Sequence, residues 1–105
     1  EYSVAPVYMD GKSSGAHQWL IEFARLPADL SHFASRLDQE LQKINSDYEA
    51  KRYKDMALRQ LQLTTAKEGL FYQWLKKKGK LGGQHKVPRL SNDRRYLDEI
   101  LKMNL

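Results

Sequence analysis

The sequence predicts an α+β domain in which a small, mainly antiparallel sheet (a β-hairpin plus a third strand) packs against four helices. Three short segments alternate apolar and polar residues at period two, which is typical of half-buried strands. Four longer segments repeat apolar residues at intervals of three and four, which is typical of amphipathic helices. Their order is β-β-α-α-β-α-loop-α, and 105 residues leave room for one domain around one core.

The predicted strands lie at Tyr2–Met9, His17–Phe23 and Leu61–Thr65. The first contains Pro6, which has no N–H for a ladder and therefore favours an edge strand or a bulge. Turn-forming residues between Asp10 and Gly15 predict that the first two strands form a hairpin.

The helices are predicted from apolar stripes and end signals. Pro27 favours the first turn of helix one, and a capping-box pattern predicts that helix two begins directly after Asn45. Gly79 marks the end of helix three, and Ser91 is expected to cap helix four. The apolar stripes are Leu30, Phe33, Leu37, Leu41 and Ile44 in helix one, Leu70, Phe71, Trp74 and Leu75 in helix three, and Tyr96, Leu97, Ile100 and Leu101 in helix four.

The two periodicities together predict one core between sheet and helices. Period two places Trp19, Ile21 and Phe23 on the same face of the second strand. We therefore expect this face to carry the core. The expected members are Trp19, Ile21, Phe23, Leu61 and Leu63 from the sheet and Leu37, Leu41, Phe71 and Trp74 from the helices.

The chain contains no cysteine, so thiolate metal sites and cysteine nucleophiles are excluded. A small domain without disulfides favours a reducing compartment, and we expect a cytoplasmic protein. Apolar runs such as Trp19–Ile21 are far too short to span a membrane, so no membrane partner is expected. The first residue is Glu1 within a strand pattern, which favours a domain cut from a longer protein.

The segment from Gly82 to Arg89, Gly-Gly-Gln-His-Lys-Val-Pro-Arg, is the strongest candidate for chemistry. Its glycines allow backbone N–H groups to approach a ligand closely, and Lys86 and Arg89 add two cations. This combination suits a phosphate group. A Gly-Gly turn with nearby basic residues is also common on protein surfaces, so an idle surface loop is the alternative.

Other charged features have simpler structural interpretations. The block 45–52 is consistent with a helix–helix junction with acidic residues first and basic residues later. The lysines at 76–78 complement a helix C-terminus and lack the exposed aromatics of a single-strand binder, so no nucleic-acid partner is expected. His17, His32 and His85 lack metal-ligand spacing, and no metal site is predicted. Without a Ser/His/Asp order or a Walker-type loop, no self-contained active site is visible.

Three blocks occur in this order: Gly-Ala-His-Gln-Trp-Leu-Ile-Glu-Phe from Gly15, Asn-Ser-Asp-Tyr-Glu-Ala-Lys-Arg from Asn45, and Gly-Gln-His-Lys-Val-Pro-Arg from Gly83. Over nearly the whole chain the sequence resembles the C-terminal domain of the Gretchen Hagen auxin-responsive family, the acyl-acid amido synthetases of the adenylate-forming superfamily. His85 and Val87 depart from the plant pattern, which tends to have Tyr and Thr there. The hairpin turn and the tail after residue 90 are more similar to bacterial members.

The resemblance implies an ATP-dependent ligase in which residues 1–105 form a C-terminal lid over a large N-terminal domain. That domain would hold the acyl acid and most of the ATP with its Mg²⁺, and the isolated lid would be inactive. The family activates a carboxylic acid as an acyl-adenylate and transfers the acyl group to an amine. The lid lysine corresponds to Lys86, the expected catalytic cation, with Gly83, Gln84 and Arg89 as further ATP-binding candidates. The alternative function is a basic binding or interaction module without a catalytic role.

Overall fold

A computed structural model describes residues 1–8, 15–55, 57–79 and 86–104. The chain is an α+β domain with the predicted order of elements, which confirms the fold class. The strands are β1 (Tyr2–Val7), β2 (Ala16–Ile21) and β3 (Gln62–Thr65), and the helices are α1 (Leu30–Ile44), α2 (Ser46–Arg52), α3 (Leu70–Lys77) and α4 (Arg95–Lys102). No described helix is both long enough and apolar enough to cross a membrane.

The sheet is mixed and has the order β1-β2-β3. β1 and β2 are antiparallel, with Val4 opposite Trp19, whereas β2 and β3 are parallel, with Trp19 beside Leu63. The parallel pair arises because α1 and α2 carry the chain back to the end of the sheet at which β2 began. β1 is the terminal strand in this order, which agrees with the edge position predicted from Pro6.

Gly15 shows why the chain needs a glycine where it enters β2. A Cβ atom at this position would lie 2.6 Å from the Val7 carbonyl oxygen, which is closer than real Cβ atoms come to other atoms. The backbone of Gly15 also forms a bridge to Leu58, and its carbonyl accepts from the Arg59 N–H at 2.7 Å. Any side chain here would therefore disturb the pairing at this end of the sheet.

The main core lies on the opposite face of β2 from the predicted one. Leu20 is fully buried, whereas its neighbours Trp19 and Ile21 are only half-buried. The buried cluster consists of Ala5, Leu20, Leu70, Phe71, Trp74, Val87, Leu97 and Ile100, so α3 and α4 pack on the Leu20 face. The prediction that Trp19, Ile21 and Phe23 share one core with Phe71 and Trp74 is wrong.

The physical reason is that helices cover both faces of the sheet. α1 lies on the Trp19 face, where Phe33 packs edge-to-face on Phe23 with ring centroids 5.1 Å apart. With both faces covered, β2 is apolar on both sides, and period-two alternation no longer identifies the more deeply buried face. Leu61 is buried as predicted, while Leu37, Leu41 and Leu63 are half-buried.

Two helix starts differ from the predictions, while one start and one end agree. α1 begins at Leu30, capped by Asp29 rather than started by Pro27, and Asp93 rather than Ser91 accepts from the first N–H of α4. α2 begins directly after Asn45, whose side chain accepts from the Tyr48 N–H. Gly79 follows α3 with a φ of 68°, which confirms the predicted end. Ile44, the last residue of the predicted α1 stripe, is 79% exposed. The buried residues of α1 are Ala34 and Asp38, which lie outside that stripe.

Candidate functional site

The segment that follows residue 85 lies along the free edge of β1. The Val4 N–H donates to the Arg89 carbonyl at 2.8 Å, and the Ser91 N–H donates to the Val4 carbonyl at 3.1 Å. Val87 is 5% exposed and belongs to the core beneath α3 and α4. Backbone pairing and side-chain burial therefore fix this segment, which we call the edge segment (residues 86–91), to the sheet.

Lys86 is an exposed cation at the start of the edge segment. Within the part of the chain that the structure describes, no carboxylate pairs with it. Lys86 is therefore accessible to solvent, while its chemical role remains a prediction. Gly83 and Gln84, the other residues proposed for the same loop, lie outside the described residues.

Arg89 occupies a different environment from Lys86. Its Nε lies 3.2 Å from Glu1 Oε1, and its guanidinium lies over the Tyr2 ring, 5.5 Å from the centroid. Burial alone would raise the pKa of Glu1, but the Tyr2 N–H and Arg89 outweigh it and hold that pKa below its usual value. Since the Arg89 side chain is still 62% exposed, it can contact a second anion, although in the free domain it is already paired.

An apolar pocket of about 240 Å³ lies beside the edge segment on the Trp19 face. Trp19 and Tyr2 stack within it, with ring centroids 5.4 Å apart. Burial, followed by the nearby positive charge of Lys51, lowers the pKa of His17, so the imidazole is neutral at pH 7. The pocket is lined by Tyr2, Val4, His17, Trp19, Leu41, Tyr48, Arg89 and Leu90. Among these lining residues no nucleophile is paired with a base.

The block 45–52 is tied into a buried network centred on Asp38, a residue that sequence reasoning missed. Arg52 contacts both oxygens of this carboxylate, at 2.8 and 2.9 Å, and also donates to the Leu58 carbonyl. Tyr48 and Gln42 donate to the same carboxylate. Asp38 is only 3% exposed. A signal was present in the sequence, because Asp38 lies four residues after Ala34 and therefore on the same helix face.

The Asp38 network is structural. Burial alone would raise the pKa of Asp38, but hydrogen bonds from Arg52 and Tyr48 and the charge of Arg52 outweigh it and lower that pKa. The Tyr48 pKa is raised, first by burial and then by the hydrogen bond to Asp38. Both shifts favour a charged carboxylate and a neutral phenol, and the hydrogen bonds of this network join α1 to α2.

The described residues contain no group of metal ligands, since no three His, Asp or Glu side chains among them come together. At the C-terminal end of α3, Lys78 pairs with Glu99 at 2.8 Å, and the same carboxylate accepts from the Trp74 indole at 3.0 Å. Lys78 therefore has a structural role at the end of this helix.

The described residues form a small helix-covered sheet with two exposed cations, Lys86 and Arg89, on the edge segment. Residues 1–95 match the GH3 family C-terminal domain, and the chain belongs to this family. The resemblance to the acyl-acid amido synthetase family is thereby confirmed. A search of the curated proteins finds no match.

Two solved structures have the same fold. One is a "GH3.15 acyl acid amido synthetase", with a TM-score of 0.65 at 16% identity. Another is an "AtGH3.15 acyl acid amido synthetase in complex with 2,4-DB", with a TM-score of 0.61 at 15% identity. Each is similar over 99% of this chain, which covers 19% of the solved chain. This chain therefore spans about a fifth of the length of these enzymes.

Proposed function

We propose that this chain is the C-terminal lid of an enzyme that activates a carboxylic acid with ATP and transfers the acyl group to an amine. Its partner is the large N-terminal domain, which binds the substrates. The observation that carries the proposal is Lys86, which is exposed and lacks a carboxylate partner among the described residues, on a segment fixed to the sheet. Membership of the GH3 family supports the setting of a larger enzyme.

The role we assign to Lys86 is to place a positive charge against a phosphate group of bound ATP. A cation positioned where charge develops in a transition state contributes several kcal/mol, because it needs no reorganisation during the reaction. The Val87 side chain and the backbone of Arg89 hold the segment in place, so little entropy is lost when the lid closes. Lys86 and, more weakly, Arg89 fit a phosphate contact. We keep Gly83 and Gln84 as proposed neighbours in the same loop.

A second candidate is an interaction module without a catalytic role. It is favoured by the apolar pocket beside the edge segment and by Leu90 at its edge, which is 75% exposed. Large exposed apolar side chains around a pocket often mark protein–protein contacts. In this alternative the pocket binds a partner and Lys86 contributes only to solubility.

The deciding experiment is Lys86→Ala in the full-length enzyme that contains this domain. We expect the rate of pyrophosphate release from ATP and a carboxylic acid to fall by about ten- to a hundredfold, the scale of losing one transition-state contact. Lys86→Arg should restore only part of the rate, because a forked guanidinium does not replace a compact ammonium. Lys67→Ala removes an exposed lysine outside the edge segment and is the matched control. Release at the normal rate by Lys86→Ala would favour the interaction module.

A further inference from the structure

Ser3 is a buried hydroxyl whose hydrogen bond joins β1 to the edge segment. It is 1% exposed, and its Oγ donates to the Pro88 carbonyl oxygen at 2.7 Å. In the described core, the buried polar residues are Ser3 and Asp38, and Asp38 serves the junction of α1 and α2. A buried hydroxyl needs a partner, and Ser3 finds it two residues away from Lys86.

The backbone pairing of the edge segment does not reach Lys86. The described backbone bonds to β1 are those from Val4 to Arg89 and from Ser91 to Val4. Pro88 has no N–H, so it cannot extend the pairing toward Lys86 as a donor. Among the described hydrogen bonds between β1 and the edge segment, the Ser3–Pro88 bond is therefore the one nearest Lys86 along the chain.

We propose that Ser3 is a positioning residue that sets the location of the Lys86 ammonium through the Pro88 carbonyl. The inference rests on the proposed function of Lys86. Val87 packs into the core between Lys86 and the hydrogen-bonded Pro88, so the backbone direction at Lys86 depends on both anchors. Without the hydroxyl, the Pro88 carbonyl loses its partner in a part-buried place and the segment can shift. A displacement of about 1 Å at a catalytic group is enough to slow a reaction strongly.

The test is Ser3→Ala in the full-length enzyme, measured as pyrophosphate release with kcat and the KM for ATP determined separately. We expect kcat to fall by about tenfold, the effect of misplacing one transition-state contact, while KM changes little. Thr64→Val is the matched control. Thr64 is on β3 at the other edge of the sheet, shares the Ser3 face, and its part-buried hydroxyl accepts from Gln18 at 2.9 Å. For this control we expect the melting temperature to fall about as much as for Ser3→Ala. Its kcat should stay within about twofold of the wild-type value.

Ser3→Ala in the Lys86→Ala background separates positioning of Lys86 from a general structural effect. If Ser3 acts through Lys86, then Ser3→Ala causes no further loss once the ammonium is absent, since coupled sites are not additive. A similar fold-loss in both backgrounds, or a kcat for Ser3→Ala equal to that of Thr64→Val, would overturn the inference while leaving the role of Lys86 intact. A normal rate for Lys86→Ala alone would overturn both.

A second variant covers the case in which Ser3→Ala fails to fold. Ser3→Cys is nearly isosteric and keeps a weak donor. We expect the Ser3→Cys enzyme to fold and to have a kcat between those of Ser3→Ala and the wild type. If Ser3→Ala cannot be obtained, the expected result is a kcat below the wild-type value. A wild-type kcat for Ser3→Cys, together with normal stability, would contradict the proposal.

Discussion

The block 45–52 and the edge segment each contain two basic residues, yet the fold uses Arg52 and Lys86 in opposite ways. In the first, Arg52 contacts the buried carboxylate of Asp38, and Tyr48 donates to the same group. In the second, Lys86 is exposed and has no carboxylate partner among the residues that the structure describes. The comparison shows that a cation becomes structural where the fold supplies a buried counter-charge.

The two regions also differ in what anchors them. Arg52 and Asp38 are 14 residues apart and belong to consecutive helices, so the side chains themselves form the joint. The edge segment is anchored by its backbone and by Ser3, which lies 85 residues before Pro88. Anchoring through the main chain leaves the side chain of Lys86 available to solvent and, in the proposed lid, to a phosphate group.

The largest effect that separates the regions is expected for Asp38→Ala. Removing the buried carboxylate takes the counter-charge from Arg52 and an acceptor from Tyr48, and we expect a loss of about 3–5 kcal/mol in the free energy of unfolding. Asp47→Ala, which removes an exposed pair with Lys51, should cost less than about 1 kcal/mol. Denaturant melts of both variants measure the difference. Equal losses would mean that the network is not the joint between α1 and α2.

A smaller effect with a pH signature is expected for Tyr48→Phe. The pKa of Tyr48 is raised in the folded state, so its contribution to stability is complete below about pH 10, where the unfolded tyrosine is still neutral, and is lost at higher pH. The pKa of Asp38 is lowered, so its contribution is present above about pH 4 and is lost as the pH falls further.

The measurement is the difference in unfolding free energy between the wild type and Tyr48→Phe, from urea melts between about pH 3 and 11. At neutral pH we expect about 1.5–3 kcal/mol, the range for a hydrogen bond to a charged group. The difference should shrink at both ends of this interval. A difference that stays constant across it would show that the Tyr48–Asp38 bond does not contribute as described.

The smallest effect is expected for Lys86→Ala. The side chain is exposed and has no carboxylate partner among the described residues, so its removal should change the free energy of unfolding by less than about 0.5 kcal/mol. The same variant is expected to slow the full-length enzyme strongly. A loss of stability comparable to that of Asp38→Ala would show that the Lys86 side chain stabilises the fold, which would contradict its proposed role.

Local patterns in the sequence determined the order of elements, the start of α2 after Asn45 and the end of α3 at Gly79. These features depend on residues within a turn or two of each other, where capping and conformational preference act directly. The motifs also identified the family. Gly83 and Gln84 lie outside the described residues, and their roles remain predictions.

The tertiary structure alone decided which face of β2 carries the core, because alternation groups residues on a face without saying what covers it. It also decided that Asp38 neutralises Arg52 and that Ser3 holds Pro88. These contacts depend on how distant segments come together, over 14 residues in one case and 85 in the other. Local periodicity contains no information about such pairings, since they are fixed by the packing of whole elements around the sheet.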